Sequence, residues 1–259
     1  MTQTERRIYL LKVLLAEGPE YREMSIPADV TEQKKLLRAL VNIRPPRPVS
    51  EAFLTVQDEY LREELSQKGV TDLADLTPLS EGLYLWQGDI TTLRCDAIVN
   101  AANSGMTGCY VPCHGCIDNA IHTYAGVRLR RECAAIMERQ GREEETGGAK
   151  LTGAYNLPCK YILHTVGPII SGPLTKADEE LLVSCYRSCL ELAEQHGSKS
   201  IAFCCISTGE FHFPNDRAAE IAVRTVKEYR ASQNSGIQVI FNVFKDVDYQ
   251  IYKNLLAAD

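Results

Sequence analysis

Hydrophobic patterning changes character near residue 80. Before it, apolar residues recur at three- and four-residue intervals among charged ones, the period of helices with one buried face. Residues 4–16 read as an amphipathic helix ended by Gly18-Pro19. Thr31 is the expected cap of a second helix running to Val41, because residues 32–34 begin a helix-forming run with spaced leucines. Pro45, Pro46 and Pro48 then break the chain, and Phe53, Val56, Tyr60, Leu61 and Leu65 mark a third helix over 50–67. Residues 1–80 carry no chemistry-bearing motif. They are expected to form a helical N-terminal extension that packs on, or partly covers, the rest.

From residue 81 short apolar runs alternate with amphipathic stretches. Strands are predicted at 83–87, 97–100, 161–166, 201–206 and 238–244, and helices at 117–139, 179–196, 216–232 and 249–256. The run IAFCCI at 201–206 is almost wholly apolar, as a strand covered on both faces must be. Strands alternating with helices imply an α/β domain over 81–259, a three-layer α/β/α sandwich around a mostly parallel mixed sheet. Ligands of such folds sit at the carboxyl ends of the strands, and three motifs discussed next fall there.

A hydrophobic fraction of 45% and a charged fraction of 24% over 259 residues fit a domain with a full core plus an extension. The net charge of −6 disfavours sequence-independent nucleic-acid binding, which needs clustered Lys and Arg. No signal peptide and no run of roughly 20 apolar residues is present, so a cytoplasmic protein with no membrane contact is expected. Ten cysteines in that setting point to free thiols, metal binding or redox chemistry. Seven lie mostly in apolar segments, where inert buried thiols are expected. Cys109, Cys113 and Cys116 fall within eight residues together with His114, in a stretch where Gly and Pro interrupt any regular face. Soft thiolates with an imidazole favour Zn²⁺; a loop of redox-active thiols is the competing reading.

Gly88-Asp89-Ile90-Thr91 follows the first strand, and Asn100-Ala101-Ala102-Asn103 ends the second. A carboxylate after a strand can accept from an exocyclic amine such as that of adenine, and an amide suits a ribose hydroxyl; both also suit turn-capping. Ser207-Thr208-Gly209-Glu210-Phe211-His212-Phe213-Pro214 follows the most apolar strand and precedes a helix. Its backbone N–H groups can cradle a phosphate, or it is an ordinary strand–helix loop.

Together with Thr146–Pro168 (TGGAKLTGAYNLPCKYILHTVGP), these motifs in this order and spacing resemble the macrodomain family over roughly residues 81–259. The resemblance implies that Asp89 binds the adenine amine and Ile90 adds a backbone contact. It implies that Asn103 faces the distal ribose, that Thr208, Gly209, Glu210 and Phe211 wrap the diphosphate, and that Phe244 packs by the adenine. Two residues depart from the family pattern. Glu210 replaces an apolar residue and is expected to point to solvent, and His212 stands where Gly is usual, narrowing the distal end of the pocket or adding a polar contact. The 109–116 loop is similar to that of the zinc-dependent branch, Gly-Cys-aromatic-x-Pro-x-His-x-Cys. That match selects Cys109, His114 and Cys116 as ligands and leaves Cys113 at a variable position. Three protein ligands leave a fourth place for water or substrate, whereas a fourth from Cys113 would close the site. Asp118 aligns with the Asp of the Val-Asp-Gly element of hydrolytic macrodomains. It orients the attacking water or merely caps the following helix.

The resemblance therefore implies a zinc-dependent hydrolase that removes mono-ADP-ribose from acidic side chains, with Asp118 and Asn103 at the reacting end. Its relatives act beside sirtuin-like ADP-ribosyltransferases on a lipoylated glycine-cleavage-H-like carrier, which is the implied partner class. The alternatives are a non-catalytic ADP-ribose reader and an O-acetyl-ADP-ribose deacetylase.

Overall fold

The computed structural model describes residues 1–21 and 23–257. Helix α1 (Gln3–Ala16) starts at Thr2, whose hydroxyl accepts the Glu5 N–H while the Glu5 carboxylate accepts the Thr2 N–H, a reciprocal capping box. Helix α2 (Val30–Ile43) is capped by Asp29, whose carboxylate accepts the Glu32 N–H at 2.9 Å. Thr31, the expected cap, instead falls in the first turn, because the stronger acceptor two residues earlier takes the role. Helix α3 (Glu51–Lys68) is capped by Ser50 and stopped by Gly69 at φ 86°. These three helices bury Leu10, Leu11, Leu37, Leu40, Phe53 and Leu61 in a cluster of their own, which Tyr124 and Val127 join from the remainder of the chain.

The sheet elements follow as β1 (Thr71–Asp72), β2 (Leu83–Gln87), β3 (Leu93–Arg94) and β4 (Ala97–Ala102), then helices α4 (Ile117–Ala125) and α5 (Val127–Gln140). After these come β5 (Ala149–Gly153), β6 (Tyr161–Val166), α6 (Lys176–Gln195), β7 (Ser200–Phe203), α7 (Asn215–Gln233), β8 (Gln238–Val243) and α8 (Asp246–Ala257). Six strands form one sheet in the order β2-β8-β7-β4-β6-β5, while β1 and β3 pair separately. All neighbours in the large sheet are parallel except the edge strand β5, antiparallel to β6. Helices flank this mixed sheet in three layers. Residues such as Ile98, Val99, Ile201, Ala202, Val239 and Ile240, adjacent along their strands yet all fully buried, require cover on both faces.

The helix expected over 117–139 is two helices. Gly126 separates them at φ 94°, in a region where a side chain is strained, and a Cβ there would sit 2.5 Å from Gln57 Nε2. The strand expected over 201–206 ends at Phe203. The remaining apolar residues leave the sheet and lead into Ser207, which adopts φ 65°. Because β2, β4, β7 and β8 are parallel, their carboxyl ends gather the 88–91, 100–103, 207–214 and 244 segments at one edge. Among the described residues no helix is long and apolar enough to cross a membrane.

Candidate functional site

Asp89 lies just beyond β2, half-buried. Its Oδ1 accepts from the Thr91 N–H (3.0 Å) and hydroxyl (2.6 Å), and Oδ2 faces the Lys68 ammonium at 3.0 Å. Burial pushes this carboxyl up, but the Thr91 hydrogen bonds and the Lys68 charge outweigh it and hold the group below the ordinary carboxylate range. Asp89 is therefore an ionised acceptor, held on Oδ1 by Thr91 and paired on Oδ2 with Lys68. Ile90 beside it is buried, and Phe244, past β8, is 77% exposed. An exposed large apolar ring beside the strand ends suits a stacking ligand.

The 207–214 loop closes on itself through the Thr208 N–H to Cys205 O, the His212 N–H to Gly209 O and the Phe213 N–H to Ser207 O. The N–H groups of Gly209, Glu210 and Phe211 take no part in those closures and are the donors left for an anion. The loop runs into α7, which has no side-chain cap at its N-terminus, so the positive end of a 19-residue helix adjoins the same segment. His212 is exposed and at φ 56°. This left-handed backbone explains why a glycine suits the position.

At the end of β4, Asn103 and Asp118 meet. Asn103 Nδ2 donates to Asp118 Oδ2 at 3.3 Å and to the Gly108 carbonyl at 3.2 Å. Asn100, fully buried, donates from Nδ2 to Asp118 Oδ1 at 2.8 Å. Burial pushes Asp118 up to about 6, against the lowering pull of the Asn100 hydrogen bond and Arg130. The helix cap is not Asp118 but Cys116, whose sulfur accepts the Asn119 N–H at 3.4 Å. The carboxylate of Asp118 is thus turned to the pocket amides, and the capping reading of this residue is corrected.

Cys109, His114 and Cys116 converge: their ligand atoms lie within 4.8 Å of one another, with Cys109 Sγ 3.6 Å from His114 Nδ1. These three side chains can hold a metal ion. Burial pushes the Cys116 thiol up to about 12, so a bound cation must displace its proton. His114 Nε2 stands 3.5 Å from Glu210 Oε1. Glu210, expected simply to face solvent, is largely exposed yet reaches from the 207–214 loop to the ring of His114, a candidate ligand. Cys113 is outside the group, held at φ 55° with its thiol directed to the Lys35 carbonyl at 3.4 Å. A second trio, His122, Cys133 and His164, is fully buried. His164 is engaged by Asn100 and Thr152, and burial drives both imidazoles well down, His164 to about 3. That trio is a neutral core network rather than an open site.

Sequence reasoning missed Asn100, Lys68, Arg38 and Asn42, all of which bear on these groups. Asn100 sits inside a motif that did draw notice; the other three lie in helices with no local signal.

A family model described as Macro domain matches residues 99–222. A protein-ADP-ribose hydrolase of Treponema medium is 59% identical over 99% of this chain and 100% of that protein. One from Staphylococcus aureus is 51% identical over 97% of this chain and 95% of that protein. The Trypanosoma brucei macrodomain solved with ADP-ribose superimposes with a TM-score of 0.66 at 31% identity, covering 85% of this chain and 94% of that one. The family match, the near full-length relatives and the superposition agree, and the chain belongs to the macrodomain family.

Proposed function

We propose that this protein hydrolyses ADP-ribose from modified proteins, with a zinc ion held by Cys109, His114 and Cys116. The observation that carries the reading is that pocket amide, buried carboxylate and metal loop form one connected unit. Asn103 bonds both Asp118 and the carbonyl of Gly108, next to Cys109, while Cys116 caps the helix on which Asp118 sits. The names of the relatives at 51–59% identity support the activity. The donor set supports the metal: a tetrahedral zinc site with bonds of about 2.3 Å to sulfur and about 2.0 Å to nitrogen separates those atoms by roughly 3.6 Å, the distance seen between Cys109 and His114.

In this reading Asp89 accepts the adenine amine, with Ile90 adding a backbone contact and Phe244 covering the ring. The N–H groups of the loop, Thr208, and the N-terminus of α7 hold the diphosphate. Asn103 takes a hydroxyl of the distal ribose, and Asp118, oriented by Asn100 and Asn103, positions a water or accepts its proton. Bound zinc supplies a Lewis acid and acidifies a coordinated water toward a pKa of about 7. A carboxylate leaves without being protonated, so the proposed linkage is an ester to Asp or Glu of the substrate.

The test is hydrolysis of a mono-ADP-ribosylated protein by wild type and Cys116→Ala, with metal content and ADP-ribose affinity measured for both. Loss of zinc and turnover with affinity retained is the expected result. Full activity in a zinc-free variant overturns the metal assignment, and a wild type that binds but never cleaves is a reader.

A further inference from the structure

Helix α2 bonds directly to the candidate metal loop at Cys113 and His114, across 71 to 78 residues of chain. Arg38 Nη2 donates to the His114 carbonyl at 3.0 Å and to Asn119 Oδ1 at 2.8 Å, and its Nε donates to the same oxygen at 3.1 Å. Asn119, itself fully buried, passes the contact on by donating to the Val111 carbonyl at 3.0 Å. One turn later, fully buried Asn42 accepts the Cys113 N–H at 2.9 Å and donates to Thr123 Oγ1 at 2.9 Å. The opposite end of the loop is held indirectly. Arg130 donates to the carbonyls of Val41, Asn42 and Arg44 at the end of α2, and its other arm reaches the Cys109 carbonyl at 3.5 Å. The same guanidinium lies 4.3 Å over the Tyr110 ring.

The loop between β4 and α4 has no regular structure of its own, and small and left-handed residues punctuate it (Gly105, Met106 at φ 59°, Gly108 at φ 88°, Cys113 at φ 55°). Such a segment does not by itself hold three ligand atoms in one place. We infer that α2 of the N-terminal helical unit is the template of the metal loop, with Arg38 the positioning residue for His114 and Asn42 the residue that turns Cys113 away from the ligand set. The inference rests on the metal reading above. Arg38 suits the task because a planar fork can satisfy two acceptors at once, which a lysine ammonium on a flexible stem does not reproduce.

The test uses the full chain with Arg38→Met and Arg38→Lys. Zinc affinity is measured by competition with a chelator, the cobalt(II)-substituted visible spectrum is recorded, and amide exchange is followed over residues 109–119 in metal-free protein. Loss of an outer partner of a metal ligand typically weakens binding about 10- to 100-fold. That loss is expected in both variants, with a changed cobalt spectrum, faster exchange in the loop and unchanged ADP-ribose affinity. Arg38→Lys keeps the charge and separates this role from general destabilisation of α2. Wild-type zinc affinity and loop exchange in both variants overturn the inference. If wild type binds neither zinc nor cobalt, the metal reading fails on its own, and the exchange comparison still decides whether Arg38 holds the loop.

Discussion

Replacing Asp89 by alanine removes the anionic acceptor proposed to meet the adenine amine and leaves the rest of the molecule nearly intact. The carboxylate is partly exposed and is held by Thr91 and Lys68. The stability cost is that of a short-turn cap, about 1 kcal/mol, plus a surface ion pair of at most about 1 kcal/mol. A domain with roughly 5–15 kcal/mol in hand stays folded. Affinity suffers more. A hydrogen bond to a charged group contributes about 1.5–3 kcal/mol, so ADP-ribose should bind about 10- to 150-fold more weakly. Titration calorimetry measures this directly, with Asp89→Asn as the control that preserves shape and cap while removing the charge. The pH dependence supplies a second arm. The folded carboxyl lies below its ordinary value of 3.8, so its contribution is complete above that value and is lost only as pH falls beneath it. The ratio of wild-type to Asp89→Asn affinity should therefore stay flat from about pH 5.5 to 8. An Asp89→Ala variant with wild-type affinity, or a ratio that collapses across that window, would refute the reasoning.

Asp118→Asn keeps the size of the side chain but removes the acceptor of a proton; single-turnover hydrolysis should fall by about 10²- to 10⁴-fold while ADP-ribose binding persists, and unchanged turnover would remove Asp118 from the reaction. Gly126→Ala places a Cβ 2.5 Å from Gln57 Nε2 at φ 94°, which should cost about 1–3 kcal/mol and lower Tm by several degrees; an unshifted melting curve would show that the α4–α5 junction yields without strain.

The strand-end loops were legible because their chemistry is local: a carboxylate, an amide and a glycine-rich turn each follow an apolar run. The convergence of the Cys/His loop was legible for the same reason, since three thiols and an imidazole stand within eight residues. What escaped depended on distant partners or on backbone conformation. Residue type does not separate Cys113 from Cys109 and Cys116; the family resemblance set it aside, and its left-handed φ and contacts with Asn42 and Lys35 supply the physical reason. The break at Gly126 is hidden in a run whose apolar spacing continues through it. Strand β5 reads AKLTG, too polar to announce itself, and becomes a strand by pairing antiparallel with β6. Arg38 and Asn42 resemble any polar residues on an amphipathic helix, because their hydrogen-bond partners lie 71 to 81 residues away.

Chain order gives the contact between α2 and the loop a bearing on biogenesis. Synthesis proceeds from the N-terminus, so Arg38 leaves the ribosome 76 residues ahead of the His114 carbonyl it binds. The α1–α3 cluster draws its buried residues from the first 61 positions, with only Tyr124 and Val127 added from later in the chain. The surface that carries Arg38 and Asn42 is therefore synthesised before Cys109, His114 and Cys116, the three side chains proposed to hold the metal.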